Sequence, residues 1–142
     1  MRNIRCMALL GWLVLTLPLL LAMGGVDSEG LTRIPEPSAD YHVCLTDQEG
    51  ARVELTAFAI DGQTFVLGQV GQGQVAVPFE RVKMVELANK GGQLKARVAF
   101  KDGEPVELTV KAALKATGKT RYGNFRIPLG GVRAVEFLGR TR

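Results

Sequence analysis

The sequence predicts an all-β domain behind an export segment. Three observations carry the prediction: one stretch occurs twice, apolar and polar residues alternate through both copies, and glycine-containing turns separate the alternating runs. Val53-Glu54-Leu55-Thr56 returns as Val106-Glu107-Leu108-Thr109 at a spacing of 53, and Gly50 and Gly103 keep that spacing. Pro78 with Val82-Lys83-Met84-Val85-Glu86-Leu87 returns as Pro128 with Val132-Arg133-Ala134-Val135-Glu136-Phe137 at a spacing of 50. Three residues are therefore lost between the blocks. Turns absorb length changes most easily, so the expected place is the turn Gly68 to Gln74, opposite the tighter Thr120 to Asn124. Two copies are too few for a solenoid. The expectation is two related units, 41–91 and 92–142, closing on each other as a small β-sandwich or barrel.

The chain opens with Arg2 and Arg5, followed by an uncharged run from Cys6 to Val26 that is largely leucine between Leu9 and Leu21. A basic start, an apolar middle and the small residues Ala22 and Gly24 form a signal peptide, 1–24, with cleavage expected after Gly24. The alternative is an uncleaved membrane anchor, since about 20 uncharged residues span a bilayer. Either route exports the remainder, to the periplasm or the exterior. Residues 25–40, with two prolines and no periodicity, read as a linker.

Tyr41, Val43 and Leu45 alternate with His42 and Cys44, which starts the first strand, and Asp47-Gln48-Glu49-Gly50 turns it. Arg52 to Ile60 resumes the alternation with Val53, Leu55, Ala57 and Ala59 inward, and Asp61-Gly62 is a strong hairpin signal. Thr64 to Leu67 and Gln74 to Phe79 follow, the second with Val75, Val77 and Phe79 on one face. Pro78 lacks an amide donor, which predicts an edge strand or a bulge there. Glu80 to Leu87 reads as a turn leading into a strand, as does its counterpart at Gly130 to Phe137. Gln93 to Phe100, then Pro105 to Leu114 with Val106, Leu108, Val110, Ala112 and Leu114 inward, and finally Phe125, Ile127 and Leu129 complete about eight to ten strands. Lys111 to Ala116 has helical propensity, but the repeat argues for strand.

Residues that would declare a chemistry are sparse. After the export segment the chain holds one Cys, Cys44, and one His, His42. Asp40, His42 and Cys44 share a strand face and are the candidate metal ligands. Neighbours on such a face stand about 7 Å apart, whereas a catalytic hydrogen bond needs roughly 3 Å, so a Cys/His dyad is not expected. Gly68-Gln69-Val70-Gly71-Gln72-Gly73 has the glycines of a phosphate loop but is followed by a proline-containing strand, not by the helix such loops open. Glu54 with Glu107, and Glu86 with Glu136, occupy matching positions. Each reads as an outward glutamate beside a cross-strand cation rather than as acid/base machinery.

Charge is the asymmetric feature. Gly25 to Phe79 has two basic residues against eight acidic, a balance of −6; Glu80 to Arg142 has fourteen against six, a balance of +8. Lys111, Lys115, Lys119, Arg121, Arg126 and Arg133 are the candidate contacts for an anionic ligand, glycan, membrane surface or partner. Nucleic acid is not expected, because export removes the chain from it and only Tyr122 and Phe125 are available for stacking. The expected function is a non-catalytic, cofactor-free module that binds an envelope or extracellular protein. An anionic-ligand binder is the first alternative, and a metal or enzymatic protein built on Asp40, His42 and Cys44 is the second. Pairing of the acidic and basic copies between molecules, in a homodimer, is a further expectation.

Overall fold

The computed structural model describes residues 37–141. The expected export segment, 1–24, and the expected linker up to Glu36 lie outside the described residues. The described chain is all-β: β1 (Asp40–Asp47), β2 (Arg52–Ile60), β3 (Phe65–Val70), β4 (Gly73–Pro78), β5 (Val82–Lys90), β6 (Gln93–Phe100), β7 (Val106–Val110), β8 (Lys115–Thr120), β9 (Gly123–Pro128) and β10 (Val132–Thr141). Single 3-10 turns at Phe79–Arg81 and Leu129–Gly131 lead into β5 and β10, as the turn-then-strand reading expects.

All pairings are antiparallel, in the order β4-β3-β7-β6-β5-β10-β1-β2-β8-β9. The all-β expectation holds, and the sandwich or barrel is met as a curled half-barrel. The strands form one curled sheet, a half-barrel, because the β3–β4 hairpin pairs with β7 and β8 pairs with β2, which joins all ten strands edge to edge. The order reads the same from both ends once each strand is exchanged for the one five places away. At the centre, β5 and β10 cross with Val85 opposite Val135.

The two terminal hairpins have the same register at an offset of 50. Val70 faces Gly73 and Phe65 faces Pro78 in one, while Thr120 faces Gly123 and Lys115 faces Pro128 in the other. The lost residues are therefore not in these turns, contrary to expectation. They fall between β2 and β3, where Ala57–Thr64 answers to the shorter 110–114. In the first stretch β2 bulges at Ala57 (φ 50°), whose amide donates to Asp40 Oδ1 at 2.6 Å, and then continues to Ile60. The bulge resets the alternation, so Phe58 and Ile60 enter the core in place of the expected Ala57. In the second stretch β7 stops at Val110 and turns at once, Leu114 N–H donating to Lys111 O at 3.2 Å. Ala112 is an exposed turn residue rather than an inward strand residue, while Leu114, at the end of the turn, still packs partly buried against the core. Asp61 (φ 50°) and Gly62 (φ 75°) make the expected tight turn, yet β2 and β3 share only the bridge Ile60 to Gln63. β8 occupies the free side of β2, and β3 departs to β7.

Gly68 and Gly118 lie inside strands, and both are buried. A Cβ on Gly68 would stand 2.7 Å from Leu108 Cβ, and one on Gly118 would stand 2.9 Å from Leu55 Cβ. Missing side chains at these two points let each terminal hairpin seat against its neighbouring strand.

The concave face holds one core. At its centre Phe79 meets Phe137 (ring centroids 5.0 Å apart), Phe58 (5.4 Å) and Tyr41 (5.5 Å). Val75, expected inward with Val77 and Phe79, is 39% exposed, opposite Gly68 on β3. Among the described residues, Thr117 Oγ1 is enclosed without a hydrogen-bond partner, in a side chain 4% exposed. Thr117→Val is expected to raise stability by about 1 kcal/mol, because it removes an unsatisfied hydroxyl at nearly constant volume. Urea unfolding checks this, and a loss of stability would mean that the hydroxyl has a partner such as buried water.

Candidate interaction surfaces

β4 and β9 each have a single strand neighbour among the described residues, so they are the two end strands of the sheet. Backbone parity decides what those edges present. Phe79 N–H donates to Thr64 O at 3.0 Å, and hydrogen-bonded pairs alternate along an antiparallel ladder, so Gln74, Ala76 and Pro78 turn their backbone groups away from β3. Leu129 N–H donates to Leu114 O at 2.8 Å, which likewise turns Asn124, Arg126 and Pro128 outward on β9. Both prolines occupy positions where an amide would point to solvent. This is the edge placement that Pro78 predicts from sequence.

The edges differ in charge. Residues 65–78 carry no ionisable side chain, whereas the β8–β9 hairpin carries Lys115, Lys119, Arg121 and Arg126 and no carboxylate. Lys115, Lys119 and Arg126 share one face, since Arg126 stands opposite Thr117. Arg121 sits at the hairpin tip with its guanidinium 5.5 Å from the ring centre of Tyr122, which is 89% exposed. Lys111 lies in the turn before β8. Arg133 is elsewhere: it donates to Gln48 O at 2.9 Å and lines a groove with Glu86, Arg97 and Glu107. The six candidate cations are thus not one patch.

A groove runs between the outer face of β1–β2 and the β8–β9 hairpin, lined by His42, Arg52, Glu54, Lys119, Arg121 and Tyr122 among others. Arg52 belongs to the acidic half of the sequence and was not among the predicted site residues; its signal is its alternation with Glu54 on the outward face of β2. Its guanidinium donates to Cys44 Sγ at 3.5 Å. That hydrogen bond first, with the electrostatic pull of the same sulfur, holds Arg52 above its ordinary range against desolvation, and Glu136 and Glu54 add smaller attractions. Its positive charge is therefore present at every working pH.

The matched glutamates explain this contact. Glu86 on β5 faces Arg97 on β6, which faces Glu107 on β7. The corresponding row is Glu136, Cys44 and Glu54, so a cysteine stands where the other row has an arginine. Arg52 supplies the cation from the side. Cys44 is buried and free, His42 Nε2 lies 3.9 Å from Glu54 Oε2, and Asp40 holds the Ala57 bulge. Among the described residues no group of three or more His, Cys, Asp or Glu is placed to hold a metal ion.

A family model described as "Uncharacterised protein" matches residues 37–140, and the chain belongs to that family. No curated protein and no solved structure matches the chain.

Proposed function

We propose that the chain is a non-catalytic exported β module, built from two related units behind a cleaved export segment, that binds another protein of the envelope or extracellular space. The observation that carries this reading is the end strand β4, whose outward backbone groups at Gln74 and Ala76 suit addition of a further strand. The matching registers of the terminal hairpins support the duplication. A second reading, binding of an anionic ligand, glycan or membrane surface, is favoured by the groove that gathers Arg52, Lys119 and Arg121 beside Glu54.

The test is a pull-down of the natively exported protein from its own envelope, eluted first with salt and then with detergent. A strand-edge partner is expected to stay bound in high salt, because backbone hydrogen bonds and apolar contacts are little screened. Release at moderate salt, abolished by Lys119→Glu and Arg121→Glu, would transfer the function to the basic groove. Failure to recover any partner would count against both readings.

A further inference from the structure

We infer that β4 is a self-pairing edge: two copies of this chain join β4 to β4 antiparallel across a twofold axis at Val75. The inference goes beyond the proposed function, resting only on the open-edge reading, and it assigns one edge an occupant. β4 is six residues long, carries no charge, and turns Gln74 and Ala76 outward. An axis at Val75 sets Gln74 against Ala76 of the second copy and Ala76 against its Gln74. These are the positions with free backbone groups, so both pairs exchange N–H to C=O bonds. Val75 then meets its own copy in the close, non-hydrogen-bonded position between them. Val70 and Val75, at 46% and 39% exposure, are two of the four exposed large apolar side chains among the described residues, and both lie on this hairpin. The pairing would cover Val75. Pro78 bounds the ladder at one end.

The other edge supplies the contrast. Position 126, at the same offset of 50 from Ala76, is an arginine, and the hairpin that bears it has four cations and no carboxylate. Joining β9 to β9 would bring two such hairpins together, whereas β4 has nothing to repel its own copy. An isologous β4 contact also closes in one step, while β4 joined to β9 would leave open ends and grow into a chain. The dimer leaves both β9 strands and both basic grooves away from the contact.

The experiment is sedimentation equilibrium of the purified mature protein over a range of concentrations, with four variants. Wild type is expected to show a monomer–dimer equilibrium. Ala76→Pro removes an amide that β3 does not use, so the fold is expected to survive while the dimer is lost; Ala76→Arg copies the residue of the other edge and is expected to do the same. Arg126→Ala is expected to leave the equilibrium unchanged. Val75→Cys is expected to give a disulfide-linked dimer on oxidation. Wild type that stays monomeric, a dimer that persists in folded Ala76→Pro or Ala76→Arg, or open-ended oligomers would each overturn the inference. None of these results bears on whether the envelope pull-down finds a partner.

Discussion

Gly68→Ala is expected to unseat the β3–β4 hairpin, and Gly118→Ala to do the same to β8–β9. Each new Cβ would fall within 2.9 Å of a leucine Cβ, on Leu108 or Leu55, and a Cβ cannot swing aside as the end of a flexible side chain can. The strand must move, and overpacking of this kind costs about 1–3 kcal/mol per site. The two sites share no partner, so the double variant is expected to lose roughly the sum. Gly73→Ala is the control, because the nearest atom to its Cβ is Val70 O at 3.6 Å. Urea unfolding of the four proteins checks the magnitudes, and hydrogen exchange checks the location. If Gly68→Ala and Gly73→Ala unfold at the same midpoint, close strand approach is not what Gly68 provides.

Phe79→Ala is expected to lose about 3–5 kcal/mol, the range for a fully buried aromatic truncated to a methyl group. Phe79 is 1% exposed and touches three other rings, those of Tyr41, Phe58 and Phe137, so the cavity it leaves is lined on several sides by side chains too large to refill it. Leu129 holds the corresponding position 50 residues on, also buried, but makes none of the ring contacts observed among the described residues. Phe79→Leu, which copies it, is therefore expected to recover part of the loss, and Leu129→Ala to cost less than Phe79→Ala. Thermal unfolding orders the three variants. A smaller loss for Phe79→Ala than for Leu129→Ala would place the centre of the core elsewhere.

The aromatic cluster also marks a limit of sequence reading. Phe79 is inward from alternation, but Phe58 reaches the cluster only because the bulge at Ala57 shifts β2 by one residue. That bulge is held by Asp40, seventeen residues earlier. A period-2 pattern carries no trace of a carboxylate that meets a backbone amide on another strand. The same limit applies to the candidate surface. Lys119 and Arg121 were legible as part of a basic stretch, whereas Arg52 joins them only because β8 crosses to pair with β2.

The sequence by itself determined what is local: an all-β chain, its turns at Gly50 and Asp61-Gly62, the inward face of β1, and the edge position of Pro78. Each of these follows from backbone dihedrals, missing amides or side-chain alternation within a few residues. Only the tertiary structure decided which strands pair. Adjacent β2 and β3 look like a hairpin and are not one, because Gly68 finds its neighbour at Leu108 and Gly118 at Leu55, contacts that depend on shape across the whole sheet. That exchange of hairpins joins all ten strands in one half-barrel. It also sets the charged edge at one end of the sheet and the neutral edge at the other.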